Sequence, residues 1–298
     1  MSKESQLFAP IVVDDAGNPY ADFPPGHPGH GDEAYRAHRS AVAAAAVHHV
    51  PGTPAPEIAY TAEDHQCWMR IRHVLAPLHR KYAAGEVLMA LEDLQLPMNH
   101  VPQLGEASRR LAALTGFTFA PAAGIVPLRR FYGTLADSTF QSTQFIRHHS
   151  HPLFSPEPDM VHEVLGHGAT LASPRFAELY RQVGAAALRA ETRESLKALS
   201  RVFWYTIEYG LVEEAGEPMV YGASLLSAYG ELAAYREVEI RPLDLGRMVT
   251  QPYDVTVFQP VLFAARSMNE LEDFLGDFLP TVDGDTGARL GVTADQRW

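Results

Sequence analysis

Two histidines five residues apart carry the strongest chemical signal in the sequence. His162 and His167 lie in the stretch 155–167, where Pro and acidic residues precede the first histidine. Farther along, Glu208 is an isolated acidic residue within the aromatic run 203–210. Two histidines and one carboxylate form the facial triad that holds non-haem Fe(II) and leaves coordination positions open for oxygen. We therefore predict that these three residues form a catalytic metal centre.

Zinc is the alternative metal for this pair of histidines. The zinc-protease signature places its histidines four residues apart on one helix face, whereas a spacing of five separates them by about 140° on an ideal helix. We expect the pair to lie near a helix end, where Gly166 eases the backbone. Structural zinc usually has cysteine ligands, and Cys67 is the only cysteine. Iron is preferred, and a zinc hydrolase with Glu163 as general base is the distant alternative.

Polar residues flank the two histidines. We expect Asp159 to orient a metal ligand and Glu163 to offer its carboxylate to a bound molecule. Arg147 lies upstream in an apolar run typical of a strand, and its planar guanidinium suits the capture of a carboxylate. A structural ion pair is the open alternative for Arg147. Three further histidines nearby are interpreted as loop residues: His148, His149 and His151.

Composition excludes several classes of protein. The 298 residues carry a formal net charge of -12, which argues against a nucleic-acid partner because phosphate binding needs clustered Lys and Arg. The single cysteine cannot form an intrachain disulfide. The first residues lack the features of a secretory signal, and no apolar run is long enough to span a bilayer. We expect a cytoplasmic protein without a nucleic-acid or membrane partner.

Helical periodicity dominates the chain, and we predict a mainly α fold with a few short β-strands. Residues 1–31 are rich in Pro, Gly and His and are predicted to form an extended N-terminal arm. Residues 32–298 show no repeat or linker, so we predict a single catalytic domain. Helices are expected over 32–47, 68–82 with a kink at Pro77, 104–114 ending at Gly116, 173–190, 196–209 and 271–278, with a hairpin over 211–220.

Several ordered motifs resemble the pterin-dependent aromatic amino acid hydroxylases. The resemblance covers most of residues 60–280. Its central motifs are Thr-Gln-Phe-Ile-Arg-His at 143–148, Pro-Glu-Pro-Asp at 156–159, His-Glu-Val-Leu-Gly-His at 162–167, and the blocks at 204–210, 221–231 and 258–267. It implies the single-domain catalytic fold of that family, with His162, His167 and Glu208 as iron ligands. It also implies the cofactors Fe(II) and a tetrahydropterin, tetrahydrobiopterin or a similar compound, which act with O2 on an aromatic amino acid.

The resemblance further assigns the substrate-binding residues. Arg147 takes the place of the arginine that pairs with the substrate carboxylate, with Ser155 and Ser227 in support, and Trp204 belongs to the ring pocket. Val255 falls where phenylalanine hydroxylases have an apolar residue, which does little to hold a phenolic hydroxyl. We therefore expect L-phenylalanine to be converted to L-tyrosine, the reaction of a phenylalanine 4-monooxygenase. L-Tryptophan, or another position on the phenylalanine ring, is the alternative.

The pterin site is implied in the same way. Phe131 takes the place of the aromatic residue that stacks on the pterin, Glu163 faces the pterin, and the backbone at Gly124 and Val126 lines the site. The run Gly168-Ala169-Thr170 replaces the usual apolar residue, Pro and Leu after the second histidine. Too few residues remain for the regulatory domain and tetramerisation helix of animal members. We therefore expect a catalytic domain alone, as a monomer.

Overall fold

The computed structural model describes residues 8–255 and 257–293. Helices dominate, as predicted. The α-helices are α1 (Glu33–Val47), α2 (Ala62–Tyr82), α3 (Gly85–Leu94), α4 (Leu104–Thr115), α5 (Leu128–Leu135), α6 (Gly168–Leu171), α7 (Pro174–Arg189), α8 (Arg193–Phe203), α9 (Ala223–Ser227), α10 (Tyr229–Ala234), α11 (Leu245–Thr250), α12 (Met268–Phe278) and α13 (Thr286–Arg289). Two segments are π-helical, the first over Val161–His167 and the second over Trp204–Glu208.

The strands are short and form three small sheets. They are β1 (Ile11–Val13), β2 (Pro19–Ala21), β3 (Thr118–Pro121), β4 (Thr139–Ser142), β5 (Leu211–Glu214), β6 (Glu217–Val220), β7 (Glu239–Pro242) and β8 (Val261–Ala265). The largest sheet has the order β6-β5-β8-β7, and β1-β2 and β3-β4 form pairs. The predicted hairpin is the antiparallel pair β5-β6. Its turn places Ala215 and Gly216 at positive φ, as the tight turns that match strand twist require.

Local sequence signals explain several helix ends. Asp32 caps α1 by accepting from the backbone N–H of Tyr35, and Ser173 caps α7 in the same way. Gly116 ends α4 with a φ of 81°, and α2 continues through Pro77 to Tyr82. One expectation is wrong: residues 143–148 form no strand, and the chain there is a buried segment without regular structure.

One large core joins the helices that surround the predicted site. Trp68, Phe117, Phe140, Phe176 and Tyr180 are among its buried side chains, and aromatic residues of this size dominate the energetics of a core. The same core includes apolar residues of both π-helices, so these segments are fixed by packing. Within the described residues, no helix combines the length and apolar composition that crossing a bilayer requires.

Glu157 joins the N-terminal part of the chain to the segment around Arg147. Its carboxylate accepts a hydrogen bond of 2.8 Å from Arg39 of α1, and His27 Nε2 lies 3.4 Å away. Tyr35 of α1 donates to the carbonyl oxygen of Ile146 at 2.9 Å. The described part of the predicted arm therefore packs beside the predicted site, while the boundary between arm and domain stays a prediction.

Candidate active site

The first π-helix carries both predicted histidine ligands. It follows Met160 directly and continues without a break into α6, so His162 lies in the first turn of the helical segment and His167 lies farther along it. The backbone hydrogen bond of a π-helix joins residues five apart, which is the spacing of His162 and His167. Both side chains therefore project from the same side of the helix, with ring centroids 4.6 Å apart and ring planes at 89° to each other.

Gly166 allows a neighbouring segment to approach the first π-helix closely. A Cβ atom on Gly166 would lie 2.5 Å from the carbonyl oxygen of Ala223, the first residue of α9. Gly166 does not have a positive φ, so its role is close packing, which replaces our expectation that it eases the backbone. The close approach brings Ser227 of α9 next to His162 and Ser224 next to Glu208.

The second π-helix carries the predicted carboxylate ligand. It extends α8 without a break, and the backbone N–H of Tyr209 donates to the carbonyl oxygen of Trp204 at 2.9 Å. The helix predicted over 196–209 is therefore present, but its last turn is π-helical. Glu208, at the end of this turn, is 9% exposed and lies against the histidines.

The side-chain donor atoms of the three predicted ligands converge. His162 Nε2 and His167 Nε2 lie 3.1 Å apart. Glu208 Oε1 lies 3.2 Å from His167 Nε2, and Glu208 Oε2 lies 3.9 Å from His162 Nε2. Ligand atoms about 2 Å from one metal ion are spaced by roughly 3 Å when they occupy adjacent positions. The three side chains therefore fit one ion on one side, as a facial triad requires.

A chain of hydroxyl groups sets the orientation of His167. Thr170 Oγ1 donates to the carbonyl oxygen of His167 at 2.9 Å, so it accepts from the Tyr180 hydroxyl, also at 2.9 Å. The Tyr180 oxygen, 2.7 Å from His167 Nδ1, then accepts the Nδ1 proton and leaves the lone pair of Nε2 facing the centre. Thr170 belongs to the run Gly168-Ala169-Thr170 that departs from the family pattern, and it supports this ligand.

Two serines of α9 hold the other two ligands. Ser227 Oγ donates to the carbonyl oxygen of Ala223 at 2.9 Å and lies 3.2 Å from His162 Nδ1, so it accepts the Nδ1 proton. Ser224 Oγ donates to Glu208 Oε2 at 2.7 Å. Sequence reasoning did not identify Ser224 because the hydroxyl reaches Glu208 only through the packing of α9 on the π-helices.

Burial and charge favour the protonation states that a metal needs at two of the predicted ligands, His162 and Glu208. Burial, followed by the neighbouring His167, lowers the pKa of His162 to about 4, so this imidazole is neutral near neutral pH. Burial alone would raise the pKa of Glu208, but the two imidazoles and the Ser224 hydroxyl hold it at about 2. Neutral imidazole and ionised carboxylate are the forms that bind metal ions.

Arg147 and Asp159 form a buried bidentate ion pair. Nε and Nη2 of Arg147 each donate to Asp159 at 2.8 Å, and the two side chains are 6% and 0% exposed. Asp159 also accepts from the backbone N–H of His162 at 3.3 Å. Contrary to expectation, Asp159 orients the guanidinium and not a metal-binding imidazole. Nη1 is the guanidinium nitrogen that Asp159 does not use.

The other predicted substrate residues lie on three different segments. Ser155 Oγ donates to the carbonyl oxygen of Glu157, and Ser227 contacts His162 as described above. Trp204, at the start of the second π-helix, stacks on Tyr253 with ring centroids 4.2 Å apart. Val255 follows shortly after Tyr253 on a surface loop and is exposed.

The predicted pterin residues fall into two groups. Gly124 and Val126 line a groove of about 1320 Å³, whose lining does not include the three ligand residues. Phe131 packs edge-on against Phe140, with centroids 5.2 Å apart, in the core beside His167. Glu163 is buried, and its Oε1 lies 3.5 Å from both the backbone N and Oγ1 of Thr143. Burial raises the pKa of Glu163 well above its usual range.

A second group of possible metal ligands consists of Asp32, His148 and His149. His148 and His149 stack face to face, with centroids 4.3 Å apart and an angle of 30° between the planes. A metal bound by an imidazole lies in the plane of the ring, and two stacked planes do not meet at one nearby point. His148 instead lies 3.2 Å from the Asp32 carboxylate, as a hydrogen-bonded loop residue.

Comparison with known proteins identifies the family to which this chain belongs. A family model described as biopterin-dependent aromatic amino acid hydroxylase matches residues 17–289. The match spans most of the chain and includes all three convergent ligands. The chain therefore belongs to the biopterin-dependent aromatic amino acid hydroxylases, as its motifs predict. It is a monooxygenase whose cofactors are iron and a tetrahydropterin.

Individual relatives have different substrates and ring positions in their names. The phenylalanine 3-hydroxylase of Streptomyces coeruleorubidus is 45% identical over 88% of this chain and 95% of its own length. The tyrosine 3-monooxygenase of Bos taurus is 40% identical over 85% of this chain, which spans only 52% of that enzyme. The chloroplastic phenylalanine 4-monooxygenase of Pinus taeda is 36% identical over 86% of this chain and 73% of its own length.

A solved structure supports the same fold. Phenylalanine hydroxylase from Chromobacterium violaceum, determined with bound Fe(III), superposes with a TM-score of 0.73 at 29% identity, covering 80% of this chain and 86% of that one. The predicted single-domain hydroxylase fold and the predicted iron cofactor are therefore confirmed. The zinc hydrolase is not the class to which the chain belongs.

Proposed function

We propose that this chain hydroxylates the aromatic ring of L-phenylalanine, using Fe(II), a tetrahydropterin and O2. The observation that carries the proposal is the convergence of His162, His167 and Glu208, next to an arginine that Asp159 holds in place. Iron on these ligands would activate O2 with electrons from the reduced pterin. The protein supplies orientation, water exclusion and charge.

Arg147 is proposed to bind the carboxylate of the amino acid. Asp159 accepts hydrogen bonds from Nε and Nη2 of Arg147. We therefore assign the third guanidinium nitrogen, Nη1, to the substrate. A charged arginine held by a buried partner needs little reorganisation when a carboxylate arrives. Trp204 and Val255 are proposed to contact the aromatic ring, with Ser155 and Ser227 beside the polar end of the substrate.

Phe131, Glu163 and the backbone at Gly124 and Val126 are proposed to bind the pterin. Burial raises the pKa of Glu163 well above its usual range, which favours the neutral form of its carboxyl group. A neutral carboxyl group both donates and accepts hydrogen bonds, which suits the mixed donor and acceptor edge of a pterin ring.

Two positions on the phenylalanine ring are candidates for hydroxylation. Hydroxylation at position 4, which gives L-tyrosine, is the first and would make the chain a phenylalanine 4-monooxygenase. Hydroxylation at position 3 is the second, and the 45% identical Streptomyces relative that is named for this reaction favours it. The apolar side chain of Val255 is compatible with both, because neither requires the pocket to bind a phenol.

The test is an oxygen-consumption assay on iron-loaded protein with tetrahydrobiopterin and, in turn, phenylalanine, tyrosine and tryptophan. Chromatography against authentic standards then separates L-tyrosine from 3-hydroxyphenylalanine. We expect hydroxylated phenylalanine only when iron and pterin are both present. Product from tyrosine or tryptophan alone would overturn the choice of substrate and leave the reaction class intact.

The sequence-based expectations of a monomer and of a cytoplasmic location stay predictions. Size-exclusion chromatography with light scattering tests the first, because a single chain has a mass of 32.8 kDa. Fractionation of the producing cells tests the second.

A further inference from the structure

Gln259 is a buried residue that joins the Trp204 side chain to the surface loop that carries Val255. It is 3% exposed. Its side-chain Oε1 accepts from Trp204 Nε1 at 3.2 Å. Its Nε2 donates to the carbonyl oxygens of Asp254 and Val257 at 2.9 and 3.0 Å. Both ends of one amide are therefore used to connect the second π-helix to this loop.

The backbone of Gln259 is fixed independently of its side chain. Its N–H donates to Glu231 Oε1 at 2.9 Å, and Glu231 Oε2 accepts from the Tyr209 hydroxyl at 3.1 Å. Burial raises the pKa of Glu231. Tyr209 follows the ligand Glu208 in sequence, and its ring lies 4.7 Å from that of Trp204. The backbone contacts of Gln259 therefore fix the point from which its side chain extends, close to the end of the second π-helix.

Three apolar residues that the structure describes in this loop are largely exposed. The side chains of Val255, Val257 and Phe258 are 42%, 54% and 60% exposed, so their packing contributes little to holding the loop in one place. Tyr253 is the loop residue that stacks on Trp204, at 4.2 Å with an angle of 12° between the planes. The polar contacts of Gln259 and this stack therefore help to hold the described loop residues beside Trp204.

We propose that Gln259 is a positioning residue that sets the distance between Val255 and Trp204, and hence which aromatic ring the pocket accepts. This inference rests on the proposed function, because it takes Trp204 and Val255 as the walls of the ring pocket. Without the amide, the carbonyl oxygens of Asp254 and Val257 lose the donor described above. The loop would then open, and the pocket would discriminate less between rings of different size.

The test compares Gln259→Met with the wild-type holoenzyme. Methionine has similar length and flexibility but cannot donate to the loop. We expect the KM for phenylalanine to rise about tenfold, the cost of lost hydrogen bonds of this kind, and the preference for phenylalanine over tryptophan to fall. Iron stoichiometry and the KM for the pterin should stay unchanged. The matched control is Gln103→Met, because the Gln103 amide pairs with the backbone of Ile58, and Ile58 is not part of the loop or the ring pocket.

A second readout does not depend on the substrate. Chymotrypsin cleaves after aromatic residues, and mass spectrometry can locate cuts after Tyr253 and Phe258. Cleavage there should be faster in Gln259→Met than in wild type or Gln103→Met. If the wild type hydroxylates a different amino acid, the proposed substrate fails, and the selectivity comparison is made with that amino acid instead.

Unchanged KM and selectivity in Gln259→Met would overturn the proposal, whether or not cleavage becomes faster. Retained iron shows that the variant is folded. Should Gln259→Met lose iron, Gln259→Leu takes its place, because it also lacks the donors and has a shorter side chain. The same rise in KM is expected for that variant, and an unchanged KM would again overturn the proposal.

Discussion

The hydroxyl group of Ser224 donates a hydrogen bond of 2.7 Å to Oε2 of Glu208. The other oxygen, Oε1, is the one that lies 3.2 Å from His167 Nε2. Ser224 thus engages one carboxylate oxygen and leaves the other facing His167. Groups that orient a metal ligand in this way typically change metal affinity by 10- to 100-fold.

Ser224→Ala should therefore weaken Fe(II) binding by about 10- to 100-fold without unfolding the protein. Competition with a chromophoric chelator measures the affinity. Ser224→Thr keeps the hydroxyl group and should retain most of the affinity. The remote control is Ser40→Ala, since Ser40 bonds to the backbone of α1. An affinity in Ser224→Ala equal to that of wild type would exclude this role.

Glu208→Ala should abolish stoichiometric iron binding and turnover, because it removes one of the three convergent ligands. Elemental analysis of purified protein gives the stoichiometry directly. Glu163→Gln is the matched control, since it removes a buried carboxyl group next to His162 that is assigned to the pterin. That variant should keep its iron, and iron loss in both variants would point to general destabilisation.

Arg147→Ala is a poor test of substrate binding because Asp159 would be left as an unpaired buried charge. Breaking a buried ion pair in this way costs about 3–5 kcal/mol. The double variant Arg147→Met with Asp159→Asn removes both charges at once. We expect this double variant to fold and to bind iron. Its KM for the amino acid should rise at least 100-fold, consistent with a lost charge-assisted pair of about 3 kcal/mol. Its KM for the pterin should stay nearly unchanged. Equal effects on both KM values would make the ion pair purely structural.

Arg39→Met should destabilise the protein by about 3–5 kcal/mol. Arg39 and Glu157 are almost completely buried, and the change would leave the Glu157 carboxylate without its main partner. Urea unfolding of the iron-free protein measures the effect. Arg247→Met, at the exposed pair with Asp244, is the control and should cost at most about 1 kcal/mol. A similarly small loss of unfolding free energy in Arg39→Met would show that the folded state does not depend on the ion pair with Glu157.

His79 should make stability depend on pH in the acidic range. Burial lowers its pKa to about 4, while an unfolded histidine titrates near 6.5. As the pH falls from 6.5 toward 4, the unfolded chain takes up a proton that the folded chain does not, so stability falls by about 3 kcal/mol. His79→Gln should flatten the curve of unfolding free energy against pH in this window. The same exchange at the exposed His73 is the control, and an unchanged curve in His79→Gln would assign the loss to other groups.

Sequence predicted the fold well where the signals are local. Asp32, Ser173 and Gly116 mark helix ends through hydrogen bonds or backbone angles that involve only their immediate neighbours, and the structure has helices that begin or end there. The three predicted metal ligands can be chosen from the sequence because their residue types and order match a known triad. These signals do not require knowledge of which segments pack together.

The groups that support the site could not be predicted in this way. Ser224 and Tyr180 reach the ligands only because α9 and α7 pack against the π-helices, and nothing in the local sequence indicates which atom each hydroxyl contacts. The position of Asp159 near His162 in the sequence predicts contact with a metal ligand, whereas its carboxylate binds Arg147, twelve residues earlier. The π-helical turns were missed because their apolar pattern resembles that of an ordinary helix.

The two π-helices also suggest how such a site can arise. A π-helical turn holds one more residue between hydrogen-bonded partners than an α-helical turn, so each corresponds to a single residue inserted into a regular helix. Each continues directly into or from an α-helix, α6 after the first and α8 before the second. One such insertion in each of the two helices would turn the predicted ligand side chains toward one another, so that they form a metal-binding face. Removing one residue from either π-helical turn would reverse that change and move its ligand side chain away from the other two.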